Sequence, residues 1–352
     1  GLMYGMGRSY GDECLNPNGV LWTTRGLNKF IAFDNATGLL ACESGVLLSE
    51  INELLVPRGW MLPIIPGTQD VTVGGAIAND VHGKNHHVLG TFGHHVSKIN
   101  LLRTNGESIE CGLQTQPDWF EATIGGMGLT GLILSVELKL RPVKSAYLDT
   151  EMIPYEGFER YLRLYEESKV DWEYTVSWVN GLSGKKCQGI FMRANHCSLP
   201  EPDKYTKLKK SIPFTPPLSL INKITLPWLN KFYYYSKNRQ LGLTKEHYKD
   251  FLCPLDSIKY WNRLYGPSGF YQHQSLIPEN NAIEIIPTML QTIANSKQGS
   301  CLTVLKTFGR KKSLGMLSFP QSGISLAMDF PNNKQTTLNL LDDLDNLVED
   351  AN

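Results

Sequence analysis

Glycine clusters in three short runs within the first 131 residues, and that clustering constrains the chain more than any other feature. The runs are Gly5-Met6-Gly7-Arg8-Ser9-Tyr10-Gly11-Asp12, then Pro66-Gly67-Thr68 with Thr72-Val73-Gly74-Gly75, then Gly125-Gly126-Met127-Gly128-Leu129-Thr130-Gly131. Glycine reaches positive φ at no steric cost and lets main-chain N–H groups close on an anion. Taken singly, each run reads as tight turns in a β-rich domain. Taken together, and with the hydroxyls of Ser9 and Thr72, they point to a phosphate-bearing cofactor gripped by main chain. None is a dinucleotide fingerprint, because the first run reads G-x-G-x-x-x-G and follows no clear strand.

A length of 352 residues fits about two domains. Lys+Arg and Asp+Glu both number 34, so the chain lacks the basic excess of a protein whose main partner is nucleic acid. Cys14, Cys42, Cys111, Cys187, Cys197, Cys253 and Cys301 are odd in number and widely spaced, with no C-x-x-C. They read as free thiols in a reducing compartment. No apolar run reaches the ~18 residues that span a bilayer. The chain opens on Gly1 almost directly into a motif and stops after a helix-like stretch, so both ends read as cut.

The expected elements change character along the chain. Phe30–Phe33 and Leu39–Glu43 flank a turn at Asp34–Gly38 and predict a hairpin. Ser49 is placed to cap a helix carrying Ile51, Leu54 and Leu55. Leu132–Leu140 predicts a strand, and a boundary falls near Ser145. Beyond it, helices are predicted from Phe158, Tyr161, Leu162 and Tyr165, from Ile283, Ile286, Leu290 and Ile293 (with Pro287 as a kink), and from Leu338, Leu341, Leu344 and Val348. Strands are predicted at Tyr174–Trp178, Phe270–Ser275, Leu302–Thr307 and Ile324–Phe330. Helices set apart from such strands give an α+β class.

Five histidines, His82, His86, His87, His94 and His95, crowd one stretch. A metal site is disfavoured, because Gly83 and Asn85 spoil a helical pair and only Asp80 could join the ligands. Structural histidines and one histidine beside a cofactor ring both remain, with His82 first because it follows the Thr72–Gly75 run. Between Lys204 and Gln240 lie eight basic residues, Lys204, Lys207, Lys209, Lys210, Lys223, Lys231, Lys237 and Arg239, with no acidic one. This stretch reads either as a long solvated loop or as a flap touching an anionic lipid surface or a phosphorylated substrate.

The first run, Pro66-Gly67-Thr68, and Val73-Gly74-Gly75-Ala76-Ile77-Ala78-Asn79-Asp80-Val81-His82-Gly83-Lys84-Asn85-His86-His87 together resemble the vanillyl-alcohol-oxidase superfamily of flavoproteins. The likeness is greatest to its decaprenylphosphoryl-β-D-ribose 2′-oxidase family. Trp261-Asn262-Arg263, Lys306-Thr307-Phe308-Gly309, Leu317-Ser318-Phe319-Pro320 and Asp329-Phe330-Pro331 extend it over nearly the whole chain. The resemblance implies a PCMH-type FAD-binding domain over residues 1–145. It also implies an α+β substrate domain over 146–352, whose antiparallel sheet covers the flavin. The family's residues before Gly1 and its C-terminal return to the FAD domain are expected to lie outside the sequence.

Carried over by motif, Met3, Tyr4, Gly5, Met6, Gly7, Arg8, Ser9, Tyr10, Gly11, Asp12 and Glu13 would line FAD. Gly67, Thr72, Val73, Gly74, Gly75, Asn79, Asp80, Val81, His82 and Ile133 would join them. Lys84, Trp178, Arg263, Gln272, Gln274, Lys306, Ser325 and Ala327 would line the substrate pocket with Tyr10 and His82. Tyr10, His82 and Lys306 are the candidate proton acceptors, unranked. Arg8 stands where lactone and alditol oxidases of the superfamily often carry a flavin-linking histidine, so FAD is expected to be non-covalent.

The implied activity is oxidation of a sugar's secondary alcohol, the 2′-OH of a polyprenylphosphoryl ribose, as the first half of an epimerisation in cell-wall biosynthesis. An NADH-dependent keto-sugar reductase would be the partner. The alternative is an aldonolactone oxidase of the D-arabinono-1,4-lactone type, using oxygen on a soluble sugar lactone. A cytoplasmic location is expected, with peripheral contact at the inner membrane through residues 204–240 and no nucleic-acid partner. The residues themselves add that Ser325, Ala327 and Asp329 share one face of a strand, opposite Ile324, Leu326, Met328 and Phe330.

Overall fold

The computed structural model describes residues 1–206, 210–238 and 242–351. Its amino-terminal half is built on a five-stranded antiparallel sheet in the order Phe30–Asp34, Leu39–Glu43, Leu132–Lys139, Val96–Leu102, Ser108–Cys111. The hairpin at Asp34 forms because its carboxylate accepts the Ala36 N–H at 2.8 Å and the Thr37 hydroxyl at 2.6 Å. Gly38 completes the turn at φ +72°. Cys42 faces Val136 and Leu40 faces Leu138 across the ladder, and all four are buried.

The helix Leu48–Leu55 closes this core with Leu48, Ile51 and Leu55. Ser49 does not cap it. The cap position is Leu47, whose N–H donates to the Glu50 carboxylate at 2.7 Å, and Leu54 faces outward.

The second half is built on a seven-stranded antiparallel sheet. Its order is Leu243–His247, Tyr147–Tyr155, Gly189–His196, Tyr174–Val179, Thr303–Phe308, Gly323–Pro331, Phe270–Ile277. The strands Tyr147–Tyr155, Gly189–His196 and Leu243–His247 were not foreseen. One face is covered by the helices Phe158–Ser168, Glu279–Ser296 and Gln335–Glu349, which pack on Phe191, Leu305, Ile324, Leu326, Met328 and Phe330. Pro287 lies inside the second of these helices. Ile283 and Leu338 turn to solvent, and Ala282, Met289 and Leu340 take the buried places instead.

The opposite face carries the helix Thr225–Asn238, which rises from the basic segment and sets Tyr233 and Tyr234 against Met152, Trp178 and Ile190. The solvated-loop reading is thereby corrected over this stretch, because the tyrosines can bury only as a helical face. Lys207, Lys209, Arg239 and Gln240 lie outside the described residues. The two halves share packing, since Tyr248, Phe251, Leu252 and Cys253 enter the amino-terminal core.

Candidate active site

The first glycine run does follow a strand, Leu2–Tyr4, which pairs in parallel with Leu21–Thr23. Gly7 and Gly11 sit at φ +59° and +65°, and a Cβ on Gly7 would strike the Tyr4 hydroxyl. Among the described residues, no main-chain N–H from Gly5 to Asp12 donates a bond within the chain. Eight consecutive unpaired amides in a loop with positive-φ glycines are the donors from which an anion seat is built. A Cβ on Gly5 would lie 2.5 Å from Thr72 Oγ1, and Arg8 Nε donates to the Asp70 carbonyl at 3.3 Å. The first two runs therefore touch.

The other runs use their amides differently. Val73 N–H donates to Val46 O at 2.8 Å, Gly74 N–H to Ser44 O at 2.7 Å, and Gly75 N–H to Thr72 Oγ1 at 3.1 Å. Gly125 N–H donates to Ile77 O at 2.9 Å and Met127 N–H to Ala78 O at 2.8 Å. The three runs do meet around the short helix Val73–Ala78, but main-chain donors to an anion remain mainly in the first. The expectation of three amide grips narrows to one. The glycines of the second run serve close packing, since a Cβ on Gly74 would come within 3.0 Å of Ser44 Cβ.

The remaining cofactor candidates divide between surface and core. Met3, Tyr4, Met6 and Ser9 are half-buried, whereas Gly11, Asp12, Glu13 and Gly67 are exposed. Asn79 Nδ2 donates to Gly75 O at 2.9 Å, and Val81 N–H to Ala76 O at 3.0 Å. Asp80 is fully buried and accepts the Gly93 N–H at 2.8 Å and the Ser318 hydroxyl at 2.6 Å, so its carboxylate is committed to the fold. Ile133 lies in the core. A glycine-rich loop of free amides fits the pyrophosphate of FAD, with Met3 to Glu13 as the residues that would hold it.

His82, His86, His87 and His94 form the joint between the halves, whereas His95 Nε2 meets Leu89 O at 3.1 Å within its own half. His86 Nδ1 accepts the Gly309 N–H at 3.2 Å. His87 Nε2 meets Trp172 O, and His94 Nε2 meets Lys312 O, both at 3.0 Å. His82 Nδ1 meets Lys306 Nζ, which also donates to Gly83 O at 3.1 Å. With lysine donating, Nδ1 of His82 is the acceptor and its ring proton resides on Nε2. Lys306 is 8% exposed, lies 4.2 Å from the Phe308 ring centroid, and has no carboxylate partner among the described residues. Burial, then the like charge of Lys84, pushes its ammonium well below the usual lysine range. Burial, then Lys306, likewise pushes His82 down.

Lys306 opens a polar trough on the sheet face opposite the three core helices, the face that also carries the helix Thr225–Asn238. It pairs with Ser325, Val304 pairs with Ala327 and Trp178, Ala327 with Gln274, and Asp329 with Gln272. Directly opposed residues share a face, so these side chains line one surface. Gln272 Nε2 donates to Asp329 Oδ1 at 3.1 Å, and Gln274 Nε2 to Ser325 Oγ at 3.3 Å.

Asp329 is 3% exposed, and burial raises its carboxyl to about 7 against the Gln272 bond. Tyr10 reaches the same end, edge-on to Phe270 with centroids 5.9 Å apart. Burial and then the Asp329 charge drive its phenol upward. Asp329 was absent from the site expected from motifs, although its alternation with Ser325 and Ala327 marked it.

Three candidates are engaged otherwise. Lys84 Nζ donates to Leu252 O at 2.6 Å. Arg263 Nη1 donates to Ile212 O at 2.8 Å and Pro213 O at 3.0 Å. Trp178 Nε1 donates to Cys301 O at 2.8 Å, and its ring packs on Tyr233. Among the described residues no group of three His, Cys, Asp or Glu side chains is arranged to hold a metal.

A sequence family described as an FAD binding domain matches residues 2–112. Decaprenylphosphoryl-β-D-ribose oxidase of Mycolicibacterium smegmatis is 34% identical over 344 residues, covering 93% of this chain and 73% of that protein. A putative D-arabinono-1,4-lactone oxidase of Neurospora crassa is 29% identical over 140 residues, 38% of this chain and 25% of that protein. Human Δ(24)-sterol reductase is 24% identical over 256 residues, 72% of this chain and 45% of that protein.

Proposed function

The chain belongs to the FAD-binding oxidase family that includes decaprenylphosphoryl-β-D-ribose oxidase, and on that premise we propose that this FAD-dependent oxidoreductase oxidises the 2′-OH of a polyprenylphosphoryl ribose to the 2′-keto sugar. The observation that carries the reading is the trough. A buried amine stands at one end, followed by two glutamines, a serine and a buried carboxyl, all on one sheet face. Such a surface hydrogen-bonds a hydroxyl-rich ring while excluding bulk water. Bound FAD supplies the hydride acceptor.

Oxidation of a carbinol also releases the hydroxyl proton, and the site ranks the acceptors. A neutral lysine amine has two N–H groups and one lone pair. His82 Nδ1 and Gly83 O take the two N–H groups of Lys306, which leaves the lone pair for the substrate hydroxyl. With its phenol raised, Tyr10 stays protonated and is placed to donate to a sugar oxygen rather than to accept a proton. Lys306 is therefore the proton acceptor and His82 its positioning partner. Lys84 and Arg263 each bond main-chain carbonyls and keep further N–H groups that could meet the substrate phosphate. The keto product then calls for a separate NADH-dependent reductase to complete an epimerisation.

Anaerobic mixing of the flavin-loaded protein with a polyprenylphosphoryl ribose tests the reading. Loss of the flavin's visible absorbance is expected. Bleaching by arabinono-lactone but not by the phosphoribose would instead assign the protein to the soluble-lactone chemistry.

A further inference from the structure

The basic stretch singled out in the sequence is not absorbed by the oxidation chemistry, and its described part has two unlike faces. Along the helix Thr225–Asn238, Leu226 and Asn230 are buried, and Tyr233 and Tyr234 pack on the sheet. The other face presents Trp228, Phe232 and Tyr235 at i, i+4 and i+7, which are 72, 75 and 55% exposed. Ile224, 78% exposed, leads into the same side. Large apolar side chains gathered at such exposure mark a surface that meets something apolar. Lys223 and Lys231 are exposed beside them, and no carboxylate pairs with either among the described residues. The sequence from 204 to 240 holds no acidic residue at all.

We propose that this face docks on an anionic phospholipid surface, with Ile224, Trp228, Phe232 and Tyr235 entering the headgroup region and Lys223 and Lys231 meeting lipid phosphates. Aromatic anchors with flanking lysines suit an interface that is apolar inside and negative outside. The contact is peripheral, because no helix among the described residues is long and apolar enough to cross a membrane. A protein partner would have to match four bulky apolar groups with acidic side chains. A bilayer with anionic headgroups supplies both without shape complementarity. The inference rests on exposure and charge alone and stands whether or not the substrate is lipid-linked.

Flotation of the flavin-loaded protein with phosphatidylcholine vesicles, with and without phosphatidylglycerol, tests it. Binding to the anionic vesicles is expected. It should fall at least about tenfold in Trp228→Ser/Phe232→Ser and roughly fivefold per lysine in Lys223→Gln and Lys231→Gln. Both changes lie on exposed side chains, so the flavin spectrum and turnover of a water-soluble substrate should be unchanged. Three results would overturn the proposal. One is absence of flotation by the parent protein, and another is flotation indifferent to the double substitution. The third is a parent dimer that becomes monomeric in Trp228→Ser/Phe232→Ser while floating with neither vesicle, which would make this face a contact between copies.

Discussion

Lys306, on the strand Thr303–Phe308, donates an N–H to Nδ1 of His82 across the joint between the two halves, 224 residues away in sequence. The contact places the candidate base where the glycine-rich half meets the sheet. Lys306→Met should lower the rate of flavin reduction by about 10²–10⁴-fold while leaving flavin content intact. His82→Ala should lower it less and move the pH profile, because it removes an acceptor that orients the amine.

The sign of the lysine's pH dependence follows from its depressed protonation. Flavin reduction should rise with pH through the lowered value, since only the neutral amine accepts a proton. For stability, the unfolded lysine binds its proton up to the ordinary range while the folded one releases it earlier. Stability therefore rises with pH between those two points. The parent protein should lose melting temperature relative to Lys306→Met as pH falls through that window, and parallel melting curves would refute the burial argument.

Asp329 shows the opposite linkage. Its folded value of about 7 lies above the ordinary 3.8, so the folded state binds more protons between them. Stability falls as pH rises across that interval, by up to about 4 kcal/mol, and is level above it. Asp329→Asn keeps an oxygen for Gln272 and removes the titration. Melting of this variant should gain on the parent from pH 4 to 7, and the pH dependence of KM near neutrality should flatten.

Parts of this site were legible in the sequence and parts were not. The period-two alternation of Ser325, Ala327 and Asp329 announced one polar face, and the ladder keeps it. The role of the Val73 and Gly74 amides was not legible, because their acceptors, Val46 O and Ser44 O, become neighbours only after folding. The strand Tyr147–Tyr155 was hidden by its charges. Glu151 reads as a surface residue until Arg193 pairs with it across the ladder, with Nε at 2.7 Å. The helix stripes at Ile283 and Leu338 were displaced because several adjacent apolar residues competed for one buried face. The histidine cluster gave its density but not its purpose, since the cap partners of His82, His86, His87 and His94 come from distant strands or loops, while His95 bonds Leu89 O in its own half.

That purpose makes the joint acid-sensitive. Burial lowers His86 to about 3 and His95 to about 4, so the unfolded chain binds protons that the folded one refuses. Stability is lost as pH falls from the ordinary histidine value of 6.5 toward those values. Acid unfolding should begin below pH 6.5. His86→Asn, whose amide oxygen can accept the Gly309 N–H, should move the midpoint to lower pH. A shift to higher pH would mean that the ring's packing on Phe308 outweighs its charge.

Arg8 gives an expectation for how the cofactor should leave the protein. On the first glycine loop its Nε–H donates to the Asp70 carbonyl beside the second run, and a guanidinium, always protonated, is no nucleophile toward a flavin methyl group. A non-covalent cofactor, held by the loop's amides and by contacts to its phosphate and ring, is therefore the expectation. Acid precipitation of the flavin-loaded protein should leave all the yellow colour in the supernatant. Replacing Gly7 by Ala, at φ +59° and against the Tyr4 hydroxyl, should distort the amide seat and reduce retained FAD several-fold while the sheet-borne trough stays folded. Colour remaining in the pellet would assign a covalent link to another residue.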